Sequence, residues 1–319
     1  MLRYRTFRNT DPPILVSIWR SLGTQRYLAP NVSLDEFERF VFSRLYFDPA
    51  GLFIAYDGDE PAGFAHAGFG AAKQEFAIST ELGVTCLIVL RPDCNNSDVA
   101  PGLLEQCEKY LTGKGAKVLY GGAIQPLNPF YLGMYGGSEL PGVMETDTLA
   151  CKTFDSSGYE RVKSTLVFRG DLRSVESPVN RAQLQIRRRM SVQMKNDLST
   201  SNWWEACTLG NFDLTRFDLM PKTGGESFSH VTVRTMMTPG ESGPVRTVGL
   251  IELETQKSHR RQGLVSFLLT EAFHTLLRNG INTAEVQTMA DNVAAVSLYK
   301  KLGFEQIDSG TVFRKEPKA

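Results

Sequence analysis

An internal repeat constrains this 319-residue chain more than any other feature. Laying Leu103-Leu104 over Leu268-Leu269 brings Ala150 opposite Ala295, Phe154 opposite Tyr299 and Gly158-Tyr159 opposite Gly303-Phe304, with a long loop at 121–143 as an insertion in the first copy. Each copy reads strand, strand, helix, strand, helix, strand. In the first, Asp57-Gly58 joins two alternating runs as a hairpin turn, a strand covers 84–90, a helix covers 101–111 before Gly113 and Gly115, and strands cover 116–120 and 160–168. In the second, strand-like stretches at 184–193, 230–237 and 247–255 precede a helix over 263–278 that stops at Asn279-Gly280. A strand over 283–288, a helix over 292–302 and a strand over 304–314 follow. Helical spacing also appears near the start, where Ser33 is placed to cap a helix. The polar, aperiodic segment 170–180 divides the chain into 1–172 and 173–319, close to the two domains that its length suggests.

Composition removes whole classes of protein. With 42% apolar residues and 35 basic against 35 acidic side chains, the chain has core-forming material and no large net charge, which excludes disorder as its main state. The longest aliphatic stretch, Leu87-Ile88-Val89-Leu90, is far below the ~18–20 residues of a membrane span. The opening residues lack the apolar core of a signal peptide, so a cytoplasmic protein with no membrane partner is expected. Five cysteines without a C-x-x-C pair and four scattered histidines give no metal-ligand spacing, so no metal is expected. Residues 1–172 carry 16 basic and 20 acidic side chains, and 173–319 carry 19 and 15. An anionic ligand therefore favours the second half, while nothing has the basic footprint of a nucleic-acid binder.

Two stretches carry chemistry. HRRQGLVSFLL follows a strand and places Gly263 at the turn into an amphipathic helix. The free N–H groups and positive dipole end of a helix start suit an anion, and a glycine lets backbone approach it. About 30 residues on, DNVAAVSLYKKLGF puts Asn292, Ala295 and Tyr299 on one helix face. Tyr299 is either a core tyrosine or a phenol placed to protonate a leaving thiolate.

Taken together, in this order, the two stretches resemble the GNAT superfamily of N-acetyltransferases. The acetyl-CoA loop Q/R-x-x-G-x-G/A is matched by Arg260-Arg261-Gln262-Gly263-Leu264-Val265, with Val265 in place of the usual small residue. The later signature N-x-x-A-x-x-L-Y-x-x-x-G-F is matched by Asn292, Ala295, Leu298, Tyr299, Gly303 and Phe304. The match is direct over 245–319 and reaches the first half through the repeat. The two-copy layout is similar to that of mycothiol synthases, without implying their substrate.

The resemblance implies an α/β fold of two tandem GNAT-like domains, each a mixed, mostly antiparallel twisted sheet flanked by helices. It implies acetyl-CoA as co-substrate and a small-molecule or peptide amine as acceptor. Backbone N–H groups from Arg261 to Ser266 would hold the pyrophosphate, the strand end Leu253–Thr255 would pair with the pantetheine arm, Asn292 would touch the cofactor, and Tyr299 would protonate the departing thiolate. Glu252, then Glu254, is the expected base acting through water; Gln287 stands where some relatives carry a second-strand Glu. Both glutamates also fit as solvated strand charges. No cysteine lies in the motif-bearing stretch, which favours direct transfer over an acyl-enzyme.

The first half lacks this equipment. Asn95-Asn96-Ser97-Asp98 stand opposite Arg260-Arg261-Gln262-Gly263, and Phe154 stands opposite Tyr299, so that half is expected to be catalytically silent. Three features stay open between packing and function. The Gly/aromatic stretch 128–139 is a substrate wall or a flap, Trp203-Trp204 lines a pocket or fills a core, and Arg187-Arg188-Arg189 is a solvated strand face or an anion-steering patch. A different acyl-CoA donor and a non-catalytic CoA-binding or scaffolding protein remain as alternatives.

Overall fold

The computed structural model describes residues 1–73, 76–175, 181–196, 198–236 and 246–317. Its first half runs β1 (Leu2–Thr6), α1 (Pro12–Ser21), α2 (Leu34–Phe37), β2 (Leu52–Asp57), β3 (Glu60–Ala71), β4 (Ile78–Leu90), α3 (Val99–Gly113), β5 (Val118–Gly121), β6 (Val143–Met144), α4 (Thr148–Ser156) and β7 (Glu160–Asp171). The second runs α5 (Arg181–Arg189), β8 (Met190–Asn196), α6 (Trp203–Leu209), β9 (Leu214–Pro221), β10 (Ser229–Met236), β11 (Thr247–Thr255), α7 (Leu264–Arg278), β12 (Thr283–Met289), α8 (Val293–Lys301) and β13 (Glu305–Lys315). All strands belong to one sheet in the order β1-β2-β3-β4-β5-β13-β7-β12-β11-β10-β9-β8, with β6 on β13.

The order is a palindrome of two halves. β1 to β4 pair antiparallel and β4–β5 pair parallel; β8 to β11 and β11–β12 do the same. Even the bulges correspond: Cys86 drops out of the β3–β4 register and Ile251 out of the β10–β11 register. The repeat read from Leu103-Leu104 and Leu268-Leu269 therefore matches in three dimensions.

At the centre, the halves exchange strands. β7, from the first half, lies between β12 and β13, and β13, from the second, lies between β5 and β7. The exchange carries side chains with it. Phe313 of β13 packs among Leu103, Leu104 and Phe154 of the first half, and Phe168 of β7 packs among Leu268, Phe273 and Tyr299 of the second. Burying an aromatic or aliphatic side chain of this size contributes roughly 1.5–3 kcal/mol, so each half relies on the other for part of its core.

Local signals account for most elements. Ser33 forms a capping box with Glu36, and Gly58 takes a left-handed turn between β2 and β3. Residues Leu264, Phe267, Leu268, Phe273 and Leu276 bury one face of α7, which ends at Asn279 and the left-handed Gly280.

Two readings need correction. The run 184–193 is not one strand: 184–189 belong to α5, and only from Met190 does the chain extend into β8. Gln183 and Ile186, three apart, lie together beside Gly263, a helical spacing. Arg187, Arg188 and Arg189 thus occupy the exposed last turn of a helix, where positive charge complements the dipole, rather than a strand face. Strand β9 went unread because Arg216 and Asp218 interrupt its apolar pattern; in place, Asp218 is buried and paired with Lys195 and Arg216. The expected linker at 170–180 begins as the end of β7 and a short turn whose Leu172 and Val175 are buried; 176–180 lie outside the described residues, as does most of the β10–β11 connection.

Candidate active site

Strands β11 and β12 run parallel and pair only from Thr247–Leu250 against Thr283–Val286. Beyond that point they part: Gln287, Thr288 and Met289 continue to pair with β7 on the other side of β12, while the β12-facing edge of β11 has no strand partner from Ile251 onward. Helices α7 and α8 start from this opened end and share one core, with Phe273 5.7 Å and Tyr299 6.0 Å from the Phe304 ring.

The loop into α7 is shaped by its own side chains. Arg260 Nε donates to the Thr255 carbonyl at 3.1 Å, Gln262 Nε2 donates to the Ser258 carbonyl at 3.1 Å, and Arg261 and Gly263 both have left-handed φ. A side chain at Gly263 would be strained by that φ and would meet Gln183 Nε2 at 3.1 Å. The amides of Arg261, Gln262, Gly263, Leu264, Val265 and Ser266 find no hydrogen-bond partner among the described residues. Leu264 itself is buried in the core, so its contribution to a ligand is its N–H alone. Six free donors at the positive end of a 15-residue helix make an anion cradle.

In the corresponding turn of the first half, two amides are taken within the loop. Asn96 accepts the N–H of Asp98 through its side chain and that of Val99 through its carbonyl, and Tyr4 donates to the Asp98 carbonyl. Asp98 holds a right-handed φ of −86° where Gly263 has +77°.

Tyr299 is buried between Phe168 and Phe304, and its hydroxyl makes no hydrogen bond among the described residues. Burial, with a smaller push from the Glu139 carboxylate, raises its pKa well above the ordinary phenol value, so it stays protonated at neutral pH. Asn292 serves as N-cap of α8, with its side chain accepting the Ala295 N–H at 3.2 Å. Asp147 caps α4 in the same way and with nearly the same backbone angles.

Glu252 and Glu254 do lie on one face of β11, as their spacing requires, and His230 from β10 joins them: ligand atoms of all three are within 4.8 Å of one another. His230 Nε2 is 3.3 Å from Glu252, and Thr232 Oγ1 donates to it at 2.8 Å. These contacts, the neighbouring His230 imidazole foremost, hold the Glu252 carboxylate below the usual range. Gln287 instead ties the loop down by donating to the Leu140 carbonyl at 3.0 Å.

Beside the β10–β11 bulge lies a cavity of about 340 Å³. Its walls combine Gln125, Asn128, Leu132, Glu139 and Leu140 of the first-half loop with Trp204 and Glu205 of α6, Arg216 of β9, Thr232 of β10 and Ile251 and Glu252 of β11. Both open questions about this region resolve in two ways at once. The loop buries Phe130, Tyr131, Met134 and Tyr135 in a core while presenting Glu139 and Leu140 to the cavity. Trp204 is buried against Tyr46 and donates to Asn128 at 3.3 Å, yet lines the same cavity.

Two buried ions fix the loop. Arg234 of β10 donates from Nε to the Ser138 carbonyl at 2.8 Å and from Nη2 to the Gly137 carbonyl at 2.6 Å. Glu285 of β12 accepts the Ser138 N–H at 3.0 Å while its other oxygen lies 2.9 Å from Arg169 and 3.5 Å from Arg26. Gly137 is required there, because a Cβ would run into Glu285 Oε1. Glu139, Arg234 and Glu285 were missed from sequence. The one signal that pointed toward them was the loop's length, with no counterpart in the second copy.

Residues 226–304 match the model of the acetyltransferase (GNAT) family. No curated protein matches the chain. Among solved structures, the whole chain superposes on a tandem GNAT protein from the clavulanic acid biosynthesis pathway, covering 100% of both chains with TM-score 0.66 and 13% identity. A GCN5-related N-acetyltransferase from Sphaerobacter thermophilus is similar over 100% of this chain and 97% of that one, with TM-score 0.62 and 14% identity. A glucosamine N-acetyltransferase region of a fungal multi-domain β-N-acetylglucosaminidase gives TM-score 0.69 at 14% identity, over 99% of this chain and 38% of that one. At these identities the likeness is one of fold. Among the described residues, no helix is long and apolar enough to cross a membrane.

Proposed function

We propose that this chain, whose residues 226–304 match the GNAT acetyltransferase family and whose whole length has the tandem GNAT fold, is an acyltransferase that moves the acetyl group of acetyl-CoA directly to a primary amine. One observation carries the reading: six unpartnered amides open α7 at the parted end of β11 and β12, next to the helix that bears Tyr299. The amides from Arg261 to Ser266 hold the diphosphate of the donor. The unpaired edge of β11 through Leu253 and Thr255 takes the pantetheine arm and polarises the thioester carbonyl. Tyr299, protonated and without a hydrogen-bond partner among the described residues, gives its proton to the leaving thiolate. Asn292 contributes mainly by capping α8, which sets the position of that phenol.

The acceptor enters from the cavity beside the bulge. Glu252, anionic through its contacts with His230 and Thr232, attracts and orients an ammonium group, with Glu254 adding charge at the rim. The first half, 1–172, does not bind acetyl-CoA: Asn96 holds two of the turn's amides, those of Asp98 and Val99, Pro101 has no N–H to offer, the Asp98 carboxylate would repel a diphosphate, and Phe154 has no proton to give. The test is thiol release from acetyl-CoA against a panel of small amines and peptide N-termini. Amine-dependent release supports the reading, and binding without release to any amine contradicts it.

A further inference from the structure

The carboxylates that line the cavity differ in how they are engaged. Glu205 accepts a backbone N–H from Ser201, and Glu252 is held by His230 and Thr232. Glu139 makes no hydrogen bond or ion pair through its side chain among the described residues, although it faces the cavity. Glu139 is half-buried at the cavity wall, and its carboxyl is held in place by neighbours that leave it free. Arg234 and Glu285 grip the two preceding residues by their backbone, so the loop is fixed while the carboxyl is not consumed.

We propose that Glu139, delivered by the inserted loop of the first half, is the group that takes the proton from the acceptor amine in the second half's reaction. This rests on the amine acetyltransferase reading above. Glu139 removes one proton from the bound ammonium, and the neutral nitrogen attacks the acetyl carbonyl. The N–C bond forms, the C–S bond breaks, and the thiolate takes the proton of Tyr299. The second proton lost by nitrogen restores Tyr299 through solvent, and Glu139 releases the first to water, so one proton leaves per amide formed.

The electrostatics agree. Burial raises the Glu139 carboxyl to about 7, opposed by the charge of Arg234 behind it, and a proton acceptor works best with a pKa near the working pH. The other charged groups lining the same cavity are Glu205, Glu252 and Arg216, and the neutral Tyr299 lies close enough for the Glu139 charge to act on it. Glu285, behind the loop, is balanced by Arg169 and Arg26. Glu252, with its lowered pKa, is better suited to holding a cation than to taking its proton. The silent half is then part of the active site.

The test compares the pH dependence of thiol release from acetyl-CoA for wild type, Glu139→Gln, Glu139→Asp and Glu252→Gln, using the panel amine that wild type turns over fastest. Wild type should lose rate below about pH 7. Glu139→Gln should lose that acidic limb and at least ~10-fold in kcat, while binding acetyl-CoA within about twofold of wild type. Glu139→Asp should keep the limb with a reduced rate, and Glu252→Gln should keep it with a raised KM. A limb that survives in Glu139→Gln, or vanishes in Glu252→Gln, overturns the assignment. Infrared difference titration of wild type against Glu139→Gln separates this inference from the reading beneath it. If acetyl-CoA binds and no amine is turned over, the amine reading fails. A carboxyl that titrates near pH 7 and is missing from Glu139→Gln still supports Glu139 as the proton acceptor, and its absence overturns it.

Discussion

Helices α3 and α7 have the same length and the same seat on two halves of one sheet, yet α7 opens on six amides with no partner among the described residues, while at α3 Asn96 takes two of the corresponding amides and Pro101 removes a third. The strands beneath them match down to the bulge, so the scaffold does not distinguish a binding site from a sealed one. Four residues of loop do. The opened ends of the parallel strand pairs occur in both halves, but only in the second does a left-handed glycine stand at the turn, and there the amides of 261–266 have no partner among the described residues. The first half kept the architecture and was put to another use: it contributes a loop, a cavity wall and a strand to its neighbour.

Several substitutions would break or sharpen that contrast. The largest effect is expected from Tyr299→Phe, which copies the first half's Phe154 into the second. Steady-state kinetics should show kcat down by about 10²–10³, with acetyl-CoA affinity within about twofold. Next is Gly263→Asp, which copies Asp98. It places a side chain at a left-handed φ and a negative charge where the diphosphate would lie, so calorimetry should show acetyl-CoA binding weakened on the order of 100-fold.

A smaller effect concerns stability. The Glu139 carboxyl titrates at about 7 in the folded protein against an ordinary value near 4.5. A carboxyl raised on folding stabilises the fold below its unfolded value and loses that contribution as pH rises through the folded one. Urea unfolding of Glu139→Gln should therefore gain on wild type by about 2 kcal/mol between pH 5 and pH 9. The smallest effect is expected from Asp98→Gly. It removes one charge but leaves Asn96 and Phe154 in place, so calorimetry should still count one acetyl-CoA per chain.

What was legible in the sequence was local. The signature from Asn292 to Phe304 specifies a cap, a helix face and a helix stop within one short stretch, and the structure places each of them so. The repeat was legible for the same reason, because each copy carries its own turn and helix signals. The strand exchange was not: β7 and β13 are ordinary alternating strands, and which sheet each joins depends on partners more than 100 residues away. Strand β9 hid behind Arg216 and Asp218, whose charges are satisfied only by tertiary pairing. Glu139 was hidden more deeply, since its place at the cavity depends on Arg234 and Glu285, which meet the loop across the boundary between the halves. Lone polar residues joined over such distances leave no spacing to read.

The central claim is that the amides opening α7, and not those opening α3, grip the donor's diphosphate. Amide chemical shifts of ¹⁵N-labelled protein titrated with CoA test it residue by residue. The predicted result is large, saturating shifts at residues 261–266 and along the free end of β11, with residues 96–100 unmoved. Shifts at 96–100, or a saturated complex in which 261–266 do not respond, would contradict it.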